Sequence, residues 1–187
     1  LVVKMISSEL FVSVIIPFYN AEPYIKKCLN VLHNQDFSKS FEVIMIDDGS
    51  TDKSRNIIET YDYPGLQLYT LPKNSGPGAA RNVGLKKAKG KYIFLLDVDD
   101  AIAPNTLTIL YNIANKTDCD LVFSDFKKIE NSINLRDNFF NYSEDKTFNN
   151  DELMEGMRQQ IHFNSFGAHG LFGINGRLIK RSIIMNN

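Results

Sequence analysis

Three aspartates lie within four residues, directly after an apolar run, in the stretch YIFLLDVDDAIAP at residues 92–104. Asp97 and Asp99 are two residues apart, so in an extended chain they project to the same side, and Asp100 joins them if a turn begins there. Carboxylates this close cannot all stay ionised in a partly dry cleft unless a cation neutralises them. Mg²⁺ and Mn²⁺ suit such oxygen ligands, because they bind few carboxylates together with substrate phosphates. The stretch therefore predicts an acidic site for a divalent metal.

A structural role for the same aspartates is the alternative. Aspartates at this point can cap the helix that is predicted to begin near Pro104. Capping suffices for one aspartate. Three of them after a buried strand, with a second pair at Asp47 and Asp48 after another strand, favour the metal.

The stretch DDGSTD, residues 47–52, combines turn chemistry with this second pair of carboxylates. Asp-Gly is typical of a turn, and Ser50 or Thr51 is predicted to cap a helix that runs to about Tyr61. This explanation does not need both aspartates, so one of them is free to accept hydrogen bonds from a base or a ribose. Tyr19, after the first predicted strand, offers an aromatic face to a base, although a lone aromatic residue there more often packs.

The stretch KNSGPGAARN, residues 73–82, combines a glycine-containing loop, a predicted helix N-terminus and two cations, Lys73 and Arg81. These features suit a phosphate group or sugar hydroxyls. The stretch is neither a Walker A loop nor a GxGxxG motif, so a helix start with solvated cations explains it equally well.

Strand and helix patterns alternate through the first two thirds of the chain. Short apolar or β-branched runs predict five strands, at residues 11–17, 41–46, 66–71, 91–96 and 119–126. Helices are predicted after each of the first four, from the cap at Ser50 or Thr51 after the second strand and from apolar or small residues at helical spacing after the others. Strands separated by helices indicate an α/β fold with a doubly wound, mostly parallel sheet and helices on both faces. Ligands bind beyond the carboxyl ends of such strands, where all the polar motifs lie.

The last third of the chain loses this rhythm. Residues 127–150 are polar and asparagine-rich, which fits a loop, an irregular hairpin or an insertion over a site. A short helix is predicted at residues 151–161. A glycine-rich and then basic-apolar stretch follows.

The composition excludes several classes of protein. The chain has 187 residues, enough for one sizeable domain, and its formal net charge of −1 argues against bulk binding of nucleic acid. Cys28 and Cys119 make no disulfide framework, and Cys28 is expected to be a small core residue. A membrane-spanning helix needs about 18 consecutive apolar residues, and no segment comes close to that length. The N-terminus lacks the pattern of a signal peptide. We expect a cytoplasmic protein, and peripheral association with the inner face of the membrane stays open.

Taken together and in order, three stretches resemble family 2 glycosyltransferases of the GT-A fold over residues 11–126. They are VSVIIPFYNAEPYIKKCLNVLHNQ, FEVIMIDDGSTDKS and NSGPGAARNVGLKKAKGKYIFLLDVDD. The resemblance implies a GT-A, Rossmann-like sheet and a nucleotide-diphospho-sugar donor, usually UDP-linked. It implies inversion at the anomeric carbon in a single displacement, with Mn²⁺ or Mg²⁺ as the cofactor. The acceptor would be a carbohydrate or lipid-linked glycan of the bacterial surface.

Carried over position by position, the resemblance assigns donor binding to residues that follow the first four predicted strands. These residues are Pro17, Tyr19, Asn20, Asp48, Asn74, Arg81 and Asp97. The implied metal ligands are Asp99 and Asp100.

The general base of an inverting enzyme must deprotonate the acceptor hydroxyl. In this family the base looks like an aspartate, often in a Glu-Asp pair, downstream of a segment similar to NGRLIKRSII. No such pair follows that segment here. We therefore expect the base beyond Asn187, and this chain to be part of a longer polypeptide. The predicted organisation is a lead-in at residues 1–10, a nucleotide-sugar-binding core at 11–126 and an acceptor-side region at 127–187.

Two other functions stay open from the sequence. One is a sugar nucleotidyltransferase, which usually needs a glycine-rich basic loop after the first strand; the segment PFYNAEPY lacks such a loop. The other is a donor-binding module that is catalytically incomplete.

Overall fold

The computed structural model describes residues 9–123, 127–130, 133–136 and 176–185. These residues contain eight strands and five helices. The strands are β1 (Val12–Phe18), β2 (Phe41–Asp47), β3 (Leu66–Thr70), β4 (Tyr92–Leu95), β5 (Leu121–Phe123), β6 (Lys127–Glu130), β7 (Ile133–Arg136) and β8 (Arg177–Lys180). The helices are α1 (Glu22–His33), α2 (Ser54–Glu59), α3 (Pro77–Lys87), α4 (Thr106–Thr117) and α5 (Arg181–Met185).

The described residues fall into two compact units, each with its own sheet. The first unit contains residues 9–123 and 176–185, with six strands in the order β3-β2-β1-β4-β8-β5. Strands β1 to β4 pair in parallel, whereas β8 is antiparallel to both β4 and β5. The second unit contains the antiparallel pair of β6 and β7. The predicted α/β fold with a mostly parallel sheet is confirmed.

Helices cover both faces of the six-stranded sheet. Every residue of β1 is buried, and its side chains alternate between the two faces. Val14 and Ile16 join a cluster with α1, α2 and α4, whereas Ile15 joins a cluster with α3 and α5. A strand buried on both faces is expected to be a continuous apolar run, which is why β1 is readable from the sequence.

Pro17 lies inside β1, although the sequence predicts that it ends this strand. Proline has no N–H to donate to a neighbouring strand. The carbonyl of Ile15 accepts the N–H of Leu96 on the β4 side at 3.1 Å, and backbone groups two residues apart point the same way. The nitrogen of Pro17 therefore faces the β4 side beyond the last paired residue, Leu95, so the strand loses no ladder hydrogen bond there.

Gly84 lets α3 lie close to the sheet. A Cβ built on Gly84 would clash with Ile15 Cγ2 and would lie 2.8 Å from Ile46 Cδ1. Ala80, one turn earlier, is fully buried on the same side of the helix. Small residues on this face thus fix the height of α3 above the sheet, and with it the position of Arg81 on the same helix.

A buried carboxylate fixes the connection from α3 to β4. Glu42 is 2% exposed and accepts hydrogen bonds from the hydroxyl of Ser13 at 2.6 Å and from the N–H of Lys89 at 2.7 Å. Its other oxygen accepts a bond from Gln67 Nε2 at 2.6 Å. Three partners compensate the burial of this charge, so the amino ends of three strands and the end of α3 are held together.

The structure differs from the predicted elements at several places. Helix α2 begins at Ser54 and ends at Glu59, with Lys53 as its N-cap residue, so the prediction of a cap at Ser50 or Thr51 is wrong. The sequence did not predict β8, and residues 176–185 belong to the same unit as residues 11–123 of the predicted core. Within residues 127–150, β6 and β7 pair in antiparallel fashion, as the hairpin alternative requires, and the other residues of this range lie outside the described ones.

Some of the predicted elements fall outside the residues that the structure describes. The helix predicted at residues 151–161 lies outside them. Within them, no helix is both long enough and apolar enough to cross a bilayer.

Candidate functional site

The loops after β1, β2, β3 and β4 lie at one edge of the sheet, because the carboxyl ends of parallel strands meet there. These loops carry the predicted site residues except Pro17, which lies in β1, and Arg81, which lies in α3. Hydrogen bonds and ion pairs between loops decide how those residues are held.

Asn20 joins the loop after β1 to the loop after β2. Its backbone has φ of 48°, in the left-handed region, where asparagine is one of the residues that fit best. Its N–H donates to Ser50 Oγ at 2.9 Å, and its Oδ1 accepts the N–H of Thr51 at 2.8 Å. The predicted donor ligand Asn20 and the predicted helix caps Ser50 and Thr51 therefore hold the two loops together.

A second link between these loops involves Glu22 and Asp52. Asp52 accepts the N–H of Glu22 at 3.0 Å and that of Ser54 at 3.0 Å, and Glu22 accepts the N–H of Lys53 at 3.2 Å. Partial loss of water around Asp52 raises the pKa of its carboxyl, but the hydrogen bonds from Ser54 and Glu22 outweigh that effect and leave this pKa below its ordinary value. The start of α1 is thereby tied to the start of α2.

Asp48 holds the loop between β3 and α3. Its Oδ1 accepts the N–H of Ser75 and its Oδ2 accepts the N–H of Gly76, each at 2.8 Å, and Asp48 is only 3% exposed. Its neighbour Asp47 accepts the N–H of Ser50 at 2.7 Å. Both carboxylates of the pair therefore bind backbone groups. Because each carboxylate oxygen can accept a second hydrogen bond, Asp48 keeps capacity for a ligand.

Gly49 allows the same two loops to approach each other. Its φ is +77°, and a Cβ on it would lie 2.8 Å from the carbonyl carbon of Lys73 and 2.9 Å from the nitrogen of Asn74. No L side chain fits this approach without movement of the backbone. The exposed Asn74 is thus held at the edge beside the Asp48 loop, and its Oδ1 accepts the N–H of Gly76 at 3.2 Å.

Arg81 on α3 forms an ion pair with Asp97. Its Nη2 lies 2.5 Å from Asp97 Oδ1, and the two side chains are 17% and 34% exposed. The Nε of Arg81 is buried and has no hydrogen-bond partner in the described part of the chain. A guanidinium carries five N–H donors, so the contact with Asp97 leaves donors for an anionic ligand.

Asp99 and Asp100 are exposed in the turn that follows Asp97, whose carbonyl accepts the N–H of Asp100 at 3.1 Å. Their negative field reaches the first helix. Burial first, and then the negative charges of Asp100 and Asp99, together raise the pKa of the Cys28 thiol to about 12. Cys28 is 1% exposed and confirms the expectation of an unreactive core residue.

The donor set for a divalent ion is limited to the exposed carboxylates. Among residues 9–123, 127–130, 133–136 and 176–185, no group of three His, Cys, Asp or Glu side chains is arranged to hold a metal. Within the DVDD stretch, Asp97 pairs with Arg81, and the side chains of Asp99 and Asp100 are exposed. Mg²⁺ and Mn²⁺ are often held by one or two carboxylates plus substrate phosphates. Asp99 and Asp100 therefore fit such an ion when a diphosphate supplies further ligands.

The aromatic side chain that is predicted to stack on a base is accessible to solvent. Tyr19 is 46% exposed at the end of β1, beside the loop that contains Asn20. Pro17 is buried within β1. A groove of about 650 Å³ opens nearby between α1 and α2, but of the predicted site residues it includes only Asn20. The groove contains no residue from the β4 loop, so the carboxyl edge of the sheet, where the aspartates after β4 lie, is the stronger candidate for the site.

Sequence analysis missed Arg177, which lies at this edge. Arg177 is the first residue of β8 and pairs with Leu95, the last residue of β4. It is half-buried, and burial lowers the pKa of its guanidinium. The only signal in the sequence is a cation at the start of the short apolar run RLIK, and nothing in that run indicates its neighbours in the sheet.

Comparison with known proteins adds family evidence. A sequence profile described as glycosyl transferase family 2 matches residues 13–179. Poly(ribitol-phosphate) beta-N-acetylglucosaminyltransferase TarS of Staphylococcus aureus (strain Mu50) is 48% identical over 98 residues, which are 51% of this chain and 17% of that protein. Glycosyltransferase GlyG of Streptococcus pneumoniae is 31% identical over 180 residues, 94% of this chain and 58% of GlyG. The chain thus spans much less than the full length of either relative.

Solved structures agree with the family evidence. S. aureus TarS 1–349 in complex with UDP matches with a TM-score of 0.76 and 30% identity, over 95% of this chain and 49% of that one. The mannosyltransferase PcManGT from Pyrobaculum calidifontis, in complex with GDP-Man and Mn²⁺, matches with a TM-score of 0.57 and 27% identity, over 65% of this chain and 37% of that one. These neighbours confirm the expected GT-A fold. Since the profile extends over most of its length, the chain belongs to glycosyl transferase family 2.

Proposed function

We propose that this chain carries the donor half of an inverting, metal-dependent glycosyltransferase that takes its sugar from a UDP-sugar. The observation that carries the proposal is the Arg81–Asp97 ion pair beside the exposed Asp99 and Asp100, at the carboxyl edge of the sheet. The donor class is supported by the relatives, since TarS 1–349 has been solved with UDP and with UDP-GlcNAc.

The proposed roles follow from the position of each side chain. Tyr19 stacks on the base with its exposed ring, and Asp48 accepts a hydrogen bond from the base or ribose with its remaining lone pairs. Arg81 donates to the diphosphate while it orients Asp97, which accepts from the ribose. Asn20 acts on the donor indirectly, by holding the two loops together, since its side-chain oxygen accepts the N–H of Thr51.

Asp99 and Asp100 are proposed to hold Mn²⁺ or Mg²⁺, which neutralises negative charge on the departing diphosphate. Without a cation, two adjacent carboxylates would repel the donor diphosphate. Binding of the diphosphate should therefore depend on the cation that these two residues hold.

The acceptor is proposed to be a hydroxyl group of a glycan or of a polyol-phosphate polymer. This class is supported by the relatives, whose names include a poly(ribitol-phosphate) glucosyltransferase and a minor teichoic acid biosynthesis protein. The described residues are assigned donor binding and not proton removal. The position of the general base beyond Asn187 stays a prediction.

Thermal unfolding with UDP, in the presence and absence of Mn²⁺, tests the proposal. At a UDP concentration of 100 times Kd, binding should stabilise the fold by about 2.7 kcal/mol, which corresponds to a rise in Tm of about 5–11 °C for a chain of this size. The rise should need both UDP and Mn²⁺. Stabilisation by UTP in preference to UDP would instead indicate a nucleotidyltransferase.

Matched variants sharpen the test. Asp99→Asn and Asp100→Asn should each remove the Mn²⁺-dependent part of the shift. Asp62→Asn makes the same chemical change at an exposed aspartate in another part of the unit and should leave the shift intact. A UDP shift that ignores Mn²⁺, or that survives in both site variants, would contradict the proposed metal site.

A further inference from the structure

We propose that Arg177 is a further substrate-binding residue of this edge and that its guanidinium contacts a phosphate group of a substrate. The inference rests on the proposed function, because it assumes a nucleotide-diphospho-sugar donor at the carboxyl edge of the sheet. Neither the motifs of the sequence nor the comparisons assign a role to this residue.

Strand register places Arg177 at the edge where the donor is proposed to bind. Strand β8 runs antiparallel between β4 and β5, so its first residue lies at their carboxyl ends. Arg177 pairs with Leu95 on one side and with Phe123 on the other. The N–H of Gly176 donates to the carbonyl of Leu95 at 3.3 Å and fixes the start of the strand. Arg177 is therefore level with the last residue of β4, two residues before Asp97.

The alternation of side chains along β8 shows which face of the sheet Arg177 occupies. Leu178 is buried in the cluster with α1 and α4, whereas Ile179 packs against the cluster that contains α3. Side chains two residues apart share a face, so Arg177 lies on the α3 face with Ile179. Asp97 points toward the same face, because its carboxylate contacts Arg81 of α3. Arg177, Asp97 and Arg81 thus share one face at one edge.

The charge balance at this edge explains why a second guanidinium is useful. Asp97, Asp99 and Asp100 supply three carboxylates, and a diphosphate would add further negative charge. Arg81 already contacts Asp97. The planar fork of N–H donors on a guanidinium matches phosphate oxygens. Arg177 can therefore meet a phosphate from the β8 side while Arg81 approaches from α3.

Lys180, the other cation of β8, serves as a natural comparison. It lies at the opposite end of this four-residue strand and pairs with Asp118 at 3.0 Å and with Asp120 at 3.6 Å. Its charge is thus used to hold the sheet to the end of α4. Lys180→Gln removes the same charge from the same strand, away from the proposed site.

The phosphate could come from the donor diphosphate or from a phosphodiester of the acceptor, and the experiment separates the two sources. Affinities for UDP and uridine, and for a synthetic ribitol-phosphate oligomer, are measured by titration in buffer with Mn²⁺ for the wild-type chain, Arg177→Gln and Lys180→Gln. Loss of a guanidinium–phosphate contact should weaken binding about 10- to 100-fold, equivalent to about 1.4–2.8 kcal/mol at 1.4 kcal/mol per tenfold. Uridine has no phosphate, so its affinity should not change.

Each outcome has one meaning. Weaker UDP binding with unchanged uridine binding in Arg177→Gln assigns the contact to the donor, and weaker oligomer binding alone assigns it to the acceptor. Unchanged binding of both phosphate ligands overturns the role of Arg177 and leaves the proposed function intact. A wild-type chain that does not bind UDP overturns the proposed function itself. If Arg177→Gln does not fold, Arg177→Met, which keeps an apolar stem, replaces it. An equal loss of affinity in Lys180→Gln would refute a specific contact between Arg177 and a phosphate.

Discussion

Replacing Asp48 should loosen the loop between β3 and α3 more than any other single change to a carboxylate at this edge. Asp48 is 3% exposed, and its two oxygens accept backbone N–H groups of Ser75 and Gly76, each at 2.8 Å. A hydrogen bond to a charged acceptor contributes about 1.5–3 kcal/mol. In Asp48→Asn the amide oxygen keeps one bond, and the NH₂ group faces the other N–H donor.

We therefore expect Asp48→Asn to lower the free energy of unfolding by about 1.5–3 kcal/mol. That loss corresponds to a decrease in Tm of about 3–12 °C for a chain of this size. Asp48→Ala removes both acceptors and should have the larger effect. Urea unfolding measures the loss, and Asp62→Asn, an exposed carboxylate on the same unit, should leave stability nearly unchanged.

Hydrogen exchange gives the local test of the same reasoning. The amides of Ser75 and Gly76 should both exchange faster in Asp48→Ala, because this variant removes both carboxylate acceptors, whereas in Asp48→Asn only the amide that faces the NH₂ group should exchange faster. UDP should also bind more weakly, since the loop that carries Asn74 is no longer fixed. Unchanged exchange at both amides in Asp48→Ala would refute the role of Asp48 as the acceptor that holds this loop.

Three further predictions concern glycines and pH. Gly49→Ala should destabilise the fold more than Gly76→Ala in urea unfolding. Both glycines have positive φ (+77° and +88°), but within the described residues a Cβ meets backbone atoms at Gly49 and open space at Gly76. Equal losses of unfolding free energy in the two variants would contradict the close approach at Gly49. Gly84→Ala should lower the free energy of unfolding by about 1–3 kcal/mol, because the added methyl group overpacks against the sheet. In Gly78→Ala, on the same helix, the Cβ meets open space in the described part, so the free energy of unfolding should rise by about 0.4–1 kcal/mol. Shifts in Tm of the same sign in the two variants would refute this contrast. The pKa of Asp52 is lower in the folded protein than its ordinary value of 3.8, so the stability that the Asp52 carboxylate contributes is complete above pH 3.8 and is lost as the pH falls through the folded-state pKa. The difference in unfolding free energy between the wild type and Asp52→Asn should therefore shrink below about pH 4 and stay constant above it.

Local patterns were sufficient to predict most of the sheet. Strand β4 is a continuous apolar run and β1 is apolar except for Ser13, since both faces of these strands are covered by helices, and α1 shows its buried stripe at helical spacing. The predicted end of β1 at Pro17 was one residue early. Proline is tolerated there because β4 has already ended, and that fact belongs to the neighbouring strand.

Strand β8 could not be predicted, for a different reason. It has four residues, RLIK, and it inserts antiparallel between two strands that lie more than fifty residues earlier in the chain. A short basic-apolar run carries no period that distinguishes a strand from a helix. Only the pairing with Leu95 and Phe123 brings Arg177 to the edge of the site.

The chemical types at the candidate site were predictable, but the pairings among them were not. Polar residues after each parallel strand had to meet at one edge, so Tyr19, Asp48, Arg81 and the aspartates of the DVDD stretch were expected there. The sequence predicted Ser50 and Thr51 as helix caps. Their partner is instead Asn20, thirty residues earlier in the chain.

The sequence by itself determined the α/β class of this protein, most of its sheet and the set of residues that can do chemistry, because these depend on local period and on the meeting of parallel strand ends. Tertiary structure alone decided that Asp97 pairs with Arg81, that Asp48 holds the loop at Ser75 and that Arg177 joins the same edge. These contacts link residues far apart in the chain, and loop conformation and strand order select them. No local pattern encodes either one.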